Sequence, residues 1–247
     1  MTVVEICVED AVGAYLAAEA GASRAELCAD LSVGGLSPSI PTVRDAIARL
    51  LRTGRTDFSL QLMVRPRAGD FVYSAGERTA CENTVRDYLD EFNDSSVPIG
   101  FVFGAITEGA VDECAVSQIR ELTRGYELTY HRAFDELDDP FAGLETLIAL
   151  GVDRVLTSGG PGPCDVETIG RYLERSDGRI QILACGGLRS DSVARVAAAL
   201  PGAQLHMRAP VVRGNTSVIA HHSTGLSTTD PREVRAIISA LSADRRY

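Results

Sequence analysis

Carboxylates, imidazoles and thiols recur on one parity of short apolar runs. Glu5 and Cys7 alternate with Val4, Ile6 and Val8, and Glu26 and Cys28 alternate with Ala25 and Leu27. His131 closes the run Glu127-Leu128-Thr129-Tyr130, and His206 lies within Gln204-Leu205-His206-Met207. Side chains of a strand alternate between its two faces. The polar parity therefore collects Glu5, Cys7, Arg24, Glu26, Cys28, Gln61, Met63, Arg65, Thr129, His131, Gln204 and His206 on one side. Glu5 or Glu26 with His131 makes an acid/base pair. Cys7, Cys28 and Met63 offer sulfur, the donor that copper(I) prefers. Two plainer readings stand beside these: an internal salt-bridge network of Glu5, Glu26, Arg24 and Arg65, and small, flexible sulfur side chains filling a layer of core.

The loops that follow the runs carry further chemistry. Arg65-Pro66-Arg67-Ala68-Gly69-Asp70-Phe71-Val72-Tyr73-Ser74 brings two guanidinium groups, a carboxylate and two aromatic rings into one segment. Arg65 and Arg67 are candidate anion clamps, because a guanidinium fork matches carboxylate or phosphate oxygens. Asp70 and Tyr73 belong to the same candidate site, and Phe71 and Tyr73 could exclude water from it. His131-Arg132-Ala133-Phe134-Asp135 gives an imidazole flanked by charges, with Asp135 a candidate catalytic carboxylate and Arg132 a candidate anion ligand. Ser158, Gly159 and Gly160, and likewise Gly186 and Gly187, expose backbone N–H groups suited to an anion. Glycines also make tight turns. His206 joins the substrate-binding set, and the adjacent His221 and His222 are a further metal candidate or simply an exposed pair.

Positioning these groups requires a repeated scaffold. Strand-like runs at 3–8, 24–28, 58–64, 99–103, 127–131, 154–158, 180–184 and 204–207 alternate with helical periods at 12–20, 41–52, 77–92, 112–124, 140–150, 166–175, 191–200 and 231–241. Asp139-Pro140 and Asp230-Pro231 each place a capping carboxylate before a proline at the first helical position. Eight such units in 247 residues predict an α/β fold of the (β/α)8 TIM-barrel type, a single domain over 1–247, for which about 250 residues is typical. A doubly wound sheet is disfavoured. Its glycine-rich phosphate loop after the first strand is missing, and Glu9-Asp10 stands there instead. In a barrel the polar parity lines the lumen, and the loops after the strands form the working mouth.

Composition narrows the chemistry. The sequence contains no lysine, which excludes Schiff-base catalysis. A net charge of -10 with no long basic run disfavours nucleic acid and anionic membranes as partners. The acidic opening MTVVEICVED does not resemble a secretory signal. The 6 cysteines are scattered without a CxxC pair, as for thiols in a reducing compartment. A cytoplasmic protein is expected, and barrels of this size often form homo-oligomers.

Six strings together resemble the CutC family: Glu26-Leu27-Cys28, Gly34-Gly35-Leu36-Ser37-Pro38-Ser39, the 65–74 loop, Phe101-Val102-Phe103-Gly104, the 131–135 segment and residues 150–160. The resemblance spans nearly the whole chain and implies a cytoplasmic barrel protein named for copper homeostasis. Cys7 and Cys28 would then be the metal ligands, with copper(I) the cofactor or cargo. The chain departs from the family pattern at Cys185 and at His206-Met207-Arg208-Ala209-Pro210, where Arg208 could substitute for backbone donors. The alternative is a lyase, isomerase or hydrolase acting on a small anionic metabolite through Glu5, Glu26, His131 and Asp135.

Overall fold

The computed structural model describes residues 2–213 and 226–243; His221 and His222 lie outside them. Eight parallel strands close a barrel in chain order. They are β1 (Val4–Val8), β2 (Arg24–Leu27), β3 (Ser59–Met63), β4 (Ile99–Phe103), β5 (Glu127–Tyr130), β6 (Arg154–Thr157), β7 (Gln181–Ala184) and β8 (Gln204–Met207), with β8 paired to β1. Each lies within the span expected from the sequence. The helices between them are α1 (Ala11–Glu19), α2 (Ile40–Leu51), α3 (Ala75–Phe92), α4 (Glu113–Leu122), α5 (Pro140–Ala149), α6 (Val166–Ser176), α7 (Val193–Ala199) and α8 (Pro231–Ala243).

Helix starts follow their capping residues. Asp139 Oδ1 accepts from the N–H groups of Phe141 and Ala142, both at 3.0 Å, and Asp230 Oδ1 accepts from Arg232 N–H at 2.9 Å. Ser74 and Glu77 cap α3 reciprocally. These bonds satisfy orphan donors at helix N-termini and place a sharp boundary after each loop of the mouth.

Strand parity divides the interior into two environments. Val4, Ile6, Val8, Ala25, Leu27, Leu60, Leu62, Phe101, Phe103, Leu128, Tyr130, Val155 and Ile182 pack outward in one large core with the helices. The lumen holds two small apolar groups, Cys7, Cys28, Met63 and Val102, and Leu156, Leu183 and Cys185. Those groups settle the parity of β4, β6 and β7, which the sequence left open. Burying the outward face removes most of the apolar surface from water, at roughly 25 cal/mol per Å². The lumen is left free to carry polar groups.

Four short features were not anticipated. They are 3-10 turns at Leu31–Val33 and Arg132–Glu136, a hairpin of Ile106–Thr107 with Ala110–Val111, and a second of Pro210–Arg213 with Leu226–Thr229. Each is too short to show a period in sequence.

Candidate functional site

The parallel register brings the sequence candidates together. Cys7 lies opposite Glu26 between β1 and β2, and Glu5 lies opposite both Arg24 and His206. All five are buried. Glu5 takes one ion pair from Arg24 Nε and a second contact from His206 Nδ1 at 2.6 Å. Burial opposes charge on Glu5, yet Arg24 and His206 hold its pKa well below the usual carboxylate range. With Nδ1 engaged by Glu5, the Nε2 edge of His206 faces Glu26 Oε2 at 3.9 Å. A carboxylate that orients a histidine in this way is the usual outer support of a metal-binding imidazole.

One ligand atom each from Cys7, Glu26 and His206 lie within 4.8 Å of one another. Cys28 Sγ lies 4.0 Å from Cys7 Sγ and 3.4 Å from Glu26 Oε2. The contact with Cys28 pushes the Cys7 thiol down to about 5, against its burial and with help from His206. The same contact, with burial, pushes Cys28 well up. Burial, and then the Cys7 charge, raise Glu26 well above the carboxylate range. For His206 burial is outweighed by Glu26, Cys7 and Glu5, which raise it well above the imidazole range. These shifts favour a thiolate at Cys7 and a proton on His206. Glu26 Oε1 is buried with no hydrogen-bond partner among the described residues, so a donor atom stands ready for something the protein itself does not supply. Sulfur, nitrogen and oxygen in this set fit a soft or borderline cation.

Above the cluster opens a cleft of about 620 Å³. Of the sequence candidates, Cys7, Glu26, Arg65, His131, Arg132, Asp135, Gly186, Gly187 and His206 line it. Glu5 and Cys28 are buried outside that lining. Arg65 donates to three backbone carbonyls, Val33 and Gly35 at 2.8 and 3.1 Å and Gly69 at 2.7 Å. His131 Nδ1 accepts from Ala133 N–H at 3.1 Å. Burial first, and then the Arg65 charge, lower the His131 pKa to about 3. A lowered pKa favours the neutral imidazole, and with Nδ1 accepting from Ala133 its proton sits on Nε2, which can donate into the cleft.

Other candidates are turned to each other. Arg67 pairs with Glu77 and, at 2.9 Å, with Asp70. Its guanidinium also lies 5.5 Å from the centre of the buried Tyr73 ring. Arg67, Asp70 and Tyr73 thus stabilise their own loop. Asp135 accepts from Thr157 Oγ1, from Ser158 N–H and Oγ at 3.1 and 2.9 Å, and from Arg132 Nε at 2.9 Å. That carboxylate is spent holding the turn at Ser158, Gly159 and Gly160. Gly159 and Gly160 have φ of 85° and 146°, so conformation is reason enough for both glycines.

Sequence reading missed Leu31, Leu156 and Arg189, which also line the cleft, as does Arg208, the residue named above as a substitute for backbone donors. Arg189 donates to Arg208 O at 2.6 Å, and the Arg208 guanidinium lies 3.5 Å from Glu9. It also missed Gly104, where a Cβ would collide with the His131 ring and with Ala133. The FVFG string contained that signal: an unsubstituted residue at the end of β4, beside the strand that delivers His131.

Comparison with known proteins identifies the family and supports the barrel fold. The model of the CutC family matches residues 2–210. A CutC family protein of Agrobacterium fabrum is 32% identical, over 99% of this chain and 96% of its own. The human copper homeostasis protein cutC homolog is 33% identical, over 94% of this chain and 86% of its own. The crystal structure of the putative copper homeostasis protein CutC from Streptococcus agalactiae superposes with a TM-score of 0.74 at 29% identity, covering 83% of this chain and 98% of that one.

Proposed function

The chain belongs to the CutC family, and from that premise we propose that it is a copper-homeostasis protein taking up copper(I) as cargo in the barrel lumen. Cys7 and Cys28 are the sulfur donors, His206 the nitrogen donor, and Glu26 an adjacent oxygen donor. The observation that carries this reading is the convergence of Cys7, Glu26 and His206 within 4.8 Å in a buried setting. Thiolates are the ligands copper(I) selects, and the contact with Cys28 lowers the Cys7 pKa, which favours the thiolate. Binding would displace the extra proton of His206. Glu5 acts as a positioning residue by fixing the ring from behind.

Free thiols beside a soft-metal site belong in a reducing compartment, so we assign the protein to the cytoplasm, as a homo-oligomer in keeping with barrels of this size. X-ray absorption of the reduced protein loaded with copper(I) tests the site. Sulfur scattering with an imidazole contribution is expected. A spectrum of oxygen and nitrogen ligands alone would refute it.

A second reading draws on the cleft itself. Its volume of about 620 Å³ is far more than an ion occupies and lies within the roughly 300–1,000 Å³ of small-molecule pockets. Under this reading the protein acts on a small anionic metabolite at the mouth, with Arg65 supplying the charge and Glu26 an acid.

A further inference from the structure

We infer that Arg65 and His131 form a subsite for a small organic monocarboxylate at the barrel mouth. The inference rests on the second reading above and narrows it to one ligand class. Both side chains line the cleft and both are more than nine-tenths buried, at 4% and 3% exposure. Each keeps one buried polar atom without a partner among the described residues, Nε of Arg65 and Nε2 of His131. A buried donor left unsatisfied carries its full desolvation penalty, so the free protein holds an unmet demand for an acceptor at this spot.

Charge specifies the acceptor. All bonds of the Arg65 guanidinium go to backbone carbonyls, so among the described residues its positive charge is uncompensated. His131 adds a neutral donor. One positive charge with one neutral N–H matches a carboxylate, which accepts through two oxygens. A dianionic phosphate would also face Asp135 and Glu136 across the same cleft, where Arg132 is already paired with Asp135 and Arg208 lies against Glu9. Leu31, Met63 and Leu156 complete the lining and give an organic body an apolar wall.

Phe71 covers the two donors. Its ring lies 4.7 Å from the His131 ring and 4.8 Å from the Arg65 guanidinium carbon. Phe71 is half buried in the loop after β3, its carbonyl held by Ile106 N–H at 2.9 Å, and its ring shields one side of the two donors from water.

The test is saturation-transfer NMR on the full chain with benzoate, its neutral isostere benzamide, and competing inorganic phosphate. Benzoate is expected to receive saturation and benzamide none. His131→Phe, which keeps a ring against Phe71 and removes the donor, is expected to weaken benzoate at least about tenfold, the equivalent of 1.4 kcal/mol. Arg65→Gln should abolish it. Because Arg65→Gln also disturbs three loop contacts, His131→Phe with an unchanged melting temperature is the deciding variant. Equal binding of benzoate and benzamide, or unchanged benzoate binding by His131→Phe, would overturn the subsite. Phosphate binding with benzoate silent would overturn the carboxylate assignment alone; silence of both would overturn the anionic-metabolite reading too.

Discussion

The floor and the mouth of this barrel are both polar, but they are polar in different ways. At the floor each guanidinium meets a carboxylate: Arg24 pairs with Glu5, and Arg154 with Glu127 at 2.7 Å. Arg154 also donates to Thr129 at 2.7 Å. At the mouth Glu26 meets no guanidinium and Arg65 no carboxylate among the described residues; both retain an unpartnered buried atom, as Arg154 Nε does at the floor. A buried charge that is paired serves the fold, whereas one left unpaired is tolerated when something else completes it. The same inward parity of successive strands therefore builds a layer of paired charges and, one step along the strands, a layer in which Glu26 and Arg65 lack ionic partners.

Breaking the floor should produce the largest effect. Glu5→Leu leaves Arg24 buried without its partner and is expected to cost about 3–5 kcal/mol, measured by urea denaturation; a loss below about 1 kcal/mol would erase the distinction between the layers. The matching change at the mouth, Glu26→Gln, is expected to cost under about 1 kcal/mol, because burial already raises the pKa of that carboxyl and favours its neutral form.

Acid separates the layers next. His131 has a folded pKa of about 3 against an ordinary 6.5, so between these values the unfolded chain binds a proton that the native protein does not. Stability is then fully present above pH 6.5 and falls as the pH drops toward 3. His131→Phe should flatten that part of the pH profile of the melting temperature, and a profile parallel to wild type would contradict the neutral imidazole.

Outside the lumen the expected effects shrink. Asp139→Ala removes the cap of α5 and should cost about 1 kcal/mol. Arg44→Ala breaks an exposed pair with Glu91 worth roughly 0.2–1 kcal/mol. A larger loss at Arg44 than at Glu5 would reverse the ordering.

Much of the scaffold was legible because strands and helices announce themselves by period. The inward parity of Glu5, Cys7, Glu26, Cys28, Met63, His131 and His206 followed from their apolar neighbours. What was not legible depended on register and on loop geometry. Nothing in the sequence states that His206, on the last barrel strand, closes the barrel against Glu5, or that it lies beside Cys7 and Glu26 as well as lining the cleft. Arg67 and Arg65 look equivalent as letters two positions apart; only the turn of the loop sends one to Glu77 and the other to the cleft. Arg189 was passed over because it becomes a mouth residue through long-range closure, which has no local signature.

The central claim is that the unsatisfied mouth holds copper(I) through its thiols. Copper(I) competition against a chelator of known affinity, run on the reduced wild-type protein and on the Cys7→Ser/Cys28→Ser variant, tests it most directly. Tight one-to-one binding by the wild type, weakened at least about a hundredfold in the variant, or about 2.7 kcal/mol, is the result predicted. Weak binding by the wild type, or equal affinity in the two proteins, would contradict it.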